Sequence, residues 1–517
     1  MLTKARHPDF KLLLAAAGLG LVISTVVILV FSLSWQLIAV GAAGLLALMP
    51  ALTMKDAKPW WLTIYLFLLP FEAGKRISNL GQSPEVILNT LGLPPSGDLG
   101  IKLHPTDLAL LALVIPWLLR VVIRRERIAF PRVGYLLVAY MVWAGISSVI
   151  KAESWPLSVA QLAHELKYFV IFVFTVNVLN TQKLMRIAML ALLLGLSLET
   201  TVAVTLNILG TSRDRLLEAA HLKVAHEYEF IREQESEFDQ SDSSRQFRAA
   251  GTFGSASNLA LYLQLQFALP LVLAFSARSA MERRLSMLLF ALSVASLYVS
   301  ASRSGMFGFA LGSATCMYLV LRRGWISKER FTALVAGTLF LALIATPLLF
   351  RYMTARPETY KSRFALMREG LQVVAANPLL GVGLNNGTAA RLRGTEGQTD
   401  DELFPVHNHY IVLASETGLI GFTLYLAFFA AIALEGVRRS RSEDPSVAAF
   451  SIAIVSGYAA LATQLMGDHF VGNAQHTLLW FFAGLVVALG RIDAGEPAAR
   501  GSLEVLANTQ LRPVRNT

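Results

Sequence analysis

Cysteine and charge are what this sequence has little of. The lone cysteine, Cys316, lies inside an apolar run, so no disulfide can form within the chain and no cysteine-based metal site can be built. Charged residues fill 15% of the 517 positions and hydrophobic ones 55%, against a soluble norm of about 25% and about 45–50%. Water is therefore not the main solvent of this chain. A formal charge of +10 would suggest nucleic acid in a soluble protein. Here the basic residues stand in short clusters between apolar runs, as topology determinants do, and nucleic-acid binding is set aside. Internal repeats of the kind that mark many secondary transporters are also missing.

What is present is a succession of long apolar runs. A helix needs roughly 20 apolar residues to cross a hydrocarbon core of about 30 Å. On that scale the chain carries about fourteen candidates, centred near 22, 44, 65, 115, 142, 168, 197, 267, 292, 312, 340, 426, 456 and 483. The weakest is the third, over 60–71, which is short and runs into Pro70 and Glu72. The expected fold is an all-α polytopic membrane protein. Lys4, Arg6 and Lys11 precede the apolar run 12–31, which is too long for a signal-peptide core and has no small-x-small cleavage site, so a retained first helix is expected.

Orientation follows from the short loops, because cationic loops stay inside. An inside N-terminus places six basic clusters in the cytoplasm: Lys55 with Lys58; Arg120, Arg124, Arg125 and Arg127; Lys183 with Arg186; Arg278, Arg283 and Arg284; Arg322, Arg323, Lys328 and Arg330; Arg438, Arg439 and Arg441. Both termini are then cytoplasmic. The opposite connections are short and nearly uncharged, or long and of mixed sign, over 72–105, 211–257 and 351–416. Four parts are expected: transmembrane helices over 1–210, a charged outer loop over 211–257, a transmembrane core over 258–490 that includes the loop 351–416, and a disordered cytoplasmic tail over 491–517.

An ionisable side chain at the centre of a bilayer helix costs on the order of 2.5–3.5 kcal/mol, so each one present needs a reason. Glu165 and Lys167, with His164 beside them, and Glu199 all fall in the outer half of their spans. His104 and Asp107 open the fourth span on the same side, and Asp468 and His469 occupy the outer turn before the last. Snorkelling or local ion pairing near helix ends would explain any one of them; their shared side points to a common place.

The stretch YVSASRSGMFGFALG puts Arg303 at the outer boundary, against the positive-inside bias. It either caps a helix end or reaches lipid phosphate, or it recognises an anion with its forked donors. Arg248 opens RAAGTFGSASN directly before the eighth span, where Gly251 and Gly254 allow close backbone approach. Ser255, Ser257 and Asn258 can cap the helix that follows, and a helix N-terminus beside an arginine is a seat for phosphate.

In the last long outer loop, 361–376 reads as an amphipathic helix with Phe364, Met367, Leu371 and Val374 along one face and Arg363 and Arg368 elsewhere. It is expected to pack on the bundle, and Asn377 and Pro378 end it. The glycines of NPLLGVGLNNG lack the strand-to-helix context and the lysine of a phosphate loop, and they read as a turn. His407 and His409 flank Asn408 just before the next span, with Glu416 downstream. Metal binding would need further ligands; a histidine at a cavity mouth is suited to take a proton from a hydroxyl.

Four segments in order, RAAGTFGSASN, SASRSG, SRFALMREGLQVVAANPLLGVGLNN and HNHYIVLASETGLIG, resemble the O-antigen ligase and O-antigen polymerase superfamily of bacterial envelope glycan assembly. The likeness covers roughly the second half of the chain. It implies a metal-independent integral membrane glycosyltransferase of the bacterial inner membrane, without cofactor and with a membrane glycosyltransferase C-like fold. The implied donor is an undecaprenyl-pyrophosphate-linked oligosaccharide at the periplasmic leaflet, and the acceptor a hydroxyl of lipid A core, a glycan or a protein. By the family's pattern Arg248 and Arg303 bind the pyrophosphate, and His407 acts as base on the acceptor hydroxyl or positions it. His409 stands second to it, and Glu165, Lys167, Glu199 and Arg363, read from their outer placement and charge, are candidate supporting residues. The chain departs from simpler members in its larger span count and in the charged insert 219–244.

Ligase and polymerase are preferred over a protein O-oligosaccharyltransferase because the tail shows no second family-type extension. The rival outside enzymes is a lipid-linked glycan flippase or transporter, which should place its ionisable groups near mid-membrane and reachable from both sides. A scaffold of an envelope synthesis complex would leave Arg248, Arg303 and His407 unexplained.

Overall fold

The computed structural model describes residues 56–71, 75–76, 102–210, 248–253, 255–333, 336, 357–392, 406–469 and 472–495. The expected spans near 22 and 44, most of the one near 340, the insert 219–244 and most of the tail lie outside the described residues. So does most of the loop 72–105.

Among the described residues, ten helical stretches are long and apolar enough to cross a bilayer. They are α2 (Pro105–Arg124), α3 (Gly134–Lys151), α4 (Trp155–Val178), α5 (Gln182–Ile208), α6 with α7 (Ala256–Gln266 and Ala268–Ser276), α8 (Ala280–Ser300), α9 (Arg303–Arg323), α12 (His409–Arg439), α13 (Pro445–Gln464) and α14 (Asn473–Asp493). Each coincides with one of the apolar runs read from the sequence. The third run forms a ten-residue helix, α1 (Lys58–Phe67), half the length of a span. The chain is an all-α polytopic membrane protein, with a two-residue ladder, β1 (Lys75–Arg76) against β2 (Lys102–Leu103), as the sheet among the described residues.

Local chemistry sets the helix ends. Pro105 and Pro445 stand at first-turn positions that need no N–H partner. Asp444 accepts from Ser446 N at 2.8 Å and Val447 N at 3.3 Å, and Ser279 and Glu282 form a reciprocal capping box at the start of α8. Gly324 ends α9 at φ 79°.

Short connections make consecutive long helices antiparallel, which gives the bundle two ends. At the basic end, Gln182 Nε2 donates to Asp444 Oδ2 at 2.6 Å, Arg491 Nη1 to Val176 O at 3.1 Å, and Arg439 pairs with Asp493 at 2.9 Å. Small residues bring α9 against α13: a Cβ on Gly308 or Gly312 would fall on Ala460 or Ser456, so backbones meet where larger residues would hold them apart. This antiparallel contact ties the opposite end of α9, with Arg303, to the turn after α13.

One span is broken. Gly418 inside α12 has φ 67° and ψ 178°, a conformation that only glycine adopts readily. In an apolar medium the freed backbone groups need partners, and they find them in the segment after α10 (Pro357–Ala376). Val382 N donates to Ser415 O at 2.9 Å, Gly383 N to Glu416 O at 3.0 Å, and Leu419 N to Pro378 O at 2.7 Å. From α3, Trp143 Nε1 donates to Thr417 O at 2.9 Å, and Ser147 Oγ lies 2.9 Å from Glu416 O and 2.5 Å from Leu380 O. The NPLLGVGLNN segment is therefore the complement of a helix break. Ser148 and Ser158 bind the backbone of Leu384, and Asn386 clasps Ser154, before the short α11 (Gly387–Leu392) begins.

The amphipathic helix forms as α10, but its buried face is not the expected one. Leu366, Gly370 and Val373 are buried while Phe364 and Leu371 are 69% and 55% exposed. The close approach at Gly370, whose Cβ would meet Val406 and Ile411, turns the helix toward its small residue.

Candidate active site

At the end of the bundle away from the basic clusters, five chain segments meet around the turn 465–469. Arg248 Nε donates to Ser300 O at 3.2 Å and Ala249 N to Val299 O at 2.9 Å, so the arm that carries Arg248 lies along the last turn of α8. Two residues past the end of α8, Ser302 caps α9 by accepting from Gly305 N at 3.2 Å, and Arg303 is the first residue of that helix. Arg303 thereby adds a full cationic charge to the positive end of a helix, an arrangement that favours an anion. Ser304 beside it packs against Gly467.

The turn itself is held from α10 and α12. Arg363 Nη1 donates to Gly467 O at 3.4 Å. His409 N is shared between Leu465 O at 3.0 Å and Asp468 O at 3.1 Å, and Asn408 Nδ2 donates to Met466 O at 3.0 Å. Asn408 also caps α12 through Oδ1, which accepts from Tyr410 N and Ile411 N. The HNHY motif thus has a division of labour: Asn408 and the His409 backbone anchor the helix start, and His407 stands just outside the cap. The His409 and His469 rings lie 6.2 Å apart.

Asp468 is buried, with 7% of its surface exposed, and it accepts from Gln464 Nε2 at 3.2 Å and from His469 N at 2.9 Å. Burial pushes its carboxyl above the ordinary range; the charges of Arg363 and Arg248 oppose that shift without cancelling it. The charges of Arg248 and Arg363, far apart in sequence, therefore both act on the same carboxyl.

The remaining residues singled out from the sequence fall into three groups. Glu199 is fully buried in α5 and binds Thr252 of the Arg248 arm, through Thr252 N at 2.9 Å and Thr252 Oγ1 at 2.5 Å. Lys167 pairs with Asp107 at 3.5 Å and donates to Asn473 Oδ1 at 2.5 Å, while His104 caps α2 with Asp107. This cluster binds α2, α4 and α14 together. Glu165 accepts from Gln161 Nε2 at 3.2 Å and lies within electrostatic reach of Glu416. Sequence reasoning missed three buried amides of the site end. Gln264 Nε2 donates to Gly305 O at 2.6 Å, Gln475 Nε2 to Asn258 O at 2.7 Å, and Gln464 binds Asp468. Their signal was an uncharged polar residue in an apolar run, which carries little weight in a count of charges.

Among the described residues, no group of three or more His, Cys, Asp or Glu could hold a metal ion. The anion-matched features are the guanidinium groups.

Fold and site together define a multi-pass membrane protein with a cationic, histidine-bearing centre at one end of its helices. Residues 288–426 match the family described as O-antigen ligase. That stretch, about a quarter of the chain, takes in Arg303, Arg363, His407 and His409 and leaves out Arg248, Glu199 and Asp468. The match supports membership of the O-antigen ligase superfamily, and the family implies ligase- or polymerase-type activity with a lipid-linked glycan donor and a glycan acceptor. No curated protein matches the sequence.

Proposed function

We propose that the chain transfers an undecaprenyl-pyrophosphate-linked glycan to a hydroxyl acceptor at the periplasmic face of the inner membrane, as an O-antigen or exopolysaccharide ligase or polymerase. Arg248 and Arg303 bind the pyrophosphate and His407 serves the acceptor. The acceptor oxygen attacks the anomeric carbon and gives its proton to His407. The bond to pyrophosphate breaks, and its electron pair leaves with the lipid carrier. Negative charge grows on that leaving group, so fixed guanidinium groups stabilise the transition state more than the ground state.

One observation carries this reading: the Arg248 arm is hydrogen-bonded to Ser300, three residues before Arg303, and the turn 465–469 adjoining Ser304 also anchors the cap beside His407. The basic ends of the helices lie at the other end of the bundle, which supports the outer placement of this site by the positive-inside bias.

The test is the glycan profile of a deletion strain complemented with variants. Single repeat units on lipid A core indicate a lost polymerase, and accumulated long lipid-linked chains a lost ligase. Arg303→Ala and His407→Ala are expected to reproduce the deletion profile while the protein still inserts. Normal surface glycan from both variants would refute the assignment.

A further inference from the structure

We propose that Glu199 is a positioning residue for the Arg248 arm, acting as a hydrogen-bonding clasp rather than as a charge; this rests on the proposed role of Arg248. The arm is short and has no helix of its own. It is fixed at two places. Its first residues lie on α8, through Arg248 Nε to Ser300 O and Ala249 N to Val299 O. Its far end, Thr252, is held by Glu199, whose Oε1 accepts from Thr252 N at 2.9 Å and whose Oε2 lies 2.5 Å from Thr252 Oγ1. Thr252 Oγ1 also lies 2.7 Å from Pro70 O, just past α1.

Between the two fixings sits Gly251, at φ 60°, where a Cβ would fall on the Glu199 carboxyl. The arm is thus pressed against the carboxyl and turned by a left-handed residue, between Thr252 and the end that lies on the last turn of α8. Glu199 shows no surface to solvent or lipid. A buried carboxyl in a membrane helix is expensive and needs a function, and both Glu199 oxygens bind Thr252 of the arm. A neutral side chain of the same length meets the same requirements: glutamine can accept from Thr252 N with its oxygen and donate to Thr252 Oγ1 with its amide, leaving the hydroxyl proton for Pro70 O.

The experiment uses the full-length protein in lipid nanodiscs. A cysteine placed at Ala250, in the middle of the arm, reports its mobility through the rate of labelling by a polar maleimide; the native Cys316 is fully buried. Glu199→Ala and Thr252→Val are each expected to raise that rate about fivefold or more, because a clasped segment opens more often when one fixing is lost. Glu199→Gln stays within about twofold of the parent. In the deletion strain, surface glycan is expected to fall about tenfold or more with Glu199→Ala or Thr252→Val, since misplacement of a binding group is costly, and to stay above about half with Glu199→Gln.

Thr252→Val keeps the shape of the side chain, so it guards against a general folding failure of Glu199→Ala. Unchanged labelling in both variants overturns the proposal, as does a Glu199→Gln protein as impaired as Glu199→Ala, which would make the charge essential. The parent reading fails separately: if Arg248→Ala supports full surface glycan, Arg248 has no role in transfer, whatever the labelling rates show.

Discussion

Gly418 lies so close to the carbonyl of Leu379 that no methyl group fits between them. The contact is reciprocal, since a Cβ on Gly381 would strike the Glu416 carbonyl and Gly418 N. Two glycines from two separate motifs thus interlock at a helix break. Gly418→Ala meets a backbone penalty of about 1–3 kcal/mol before any clash is counted. The expected outcome is a clear fall in the thermal midpoint of the purified protein in detergent; an unchanged midpoint would show that the break is not held by this contact.

Arg303 begins α9, where the helix amides already favour negative charge. Arg303→Ala is expected to lower glycan transfer by about 10²-fold or more, the loss seen when a fixed donor to a developing anion is removed. Arg303→Lys restores part of it, because the charge remains and the fork is lost. Equal activity of the lysine and alanine variants would count against pyrophosphate recognition here.

His407 and His409 are separable. The structure uses the His409 backbone for anchoring, through Leu465 O and Asp468 O, and a side-chain substitution keeps that bond. His407→Ala is expected to lose about 10²–10⁴ in rate, as for a general base, and His409→Ala less. The measurement is initial rate with purified variants, or surface glycan at matched protein levels; the reverse ranking would transfer the base assignment to His409.

The buried Asp468 carboxyl gives stability a pH dependence of known sign. Its folded pKa is raised, so the folded chain holds the proton to higher pH than the unfolded chain does. The contribution is complete below the ordinary carboxylate pKa and is lost as pH rises through the elevated value. Thermal midpoints of the wild-type protein are expected to decline across that window, and Asp468→Asn to flatten the decline. A slope that survives in Asp468→Asn belongs to another group.

The ten described spans were legible because apolar length is a direct requirement of the bilayer, and the weak third run shows the limit of that rule: Pro70 stops α1 before it can cross. The shared side of Arg248, Arg303, His407 and Asp468 was legible for a related reason, since loop charge fixes which ends go together. The face of α10 was not. Phe364 and Leu371 keep helical spacing and dominate any hydropathy reading, yet the contact is made by Gly370, whose value is the absence of a side chain. The partnership of NPLLGVGLNN with ETGLIG was hidden too, because it runs through backbone groups and through Trp143, Ser147, Ser148 and Ser158, more than 200 positions earlier. Those residues look ordinary in their own helices. Glu199 stood out by its charge, but its partner Thr252 lies 53 positions away and gave no signal.

The broken α12 also has a bearing on biogenesis. The indole of Trp143 and the hydroxyl of Ser147 belong to a helix made some 270 residues before Thr417 and Glu416 leave the ribosome. The receptors for the break are therefore already lodged in the bilayer when the break arrives. The segment 378–384 is synthesised in between, and it lies on α3 and α4 and supplies the break with further partners. The bend in α12 thus depends on side chains laid down in the first half of the chain.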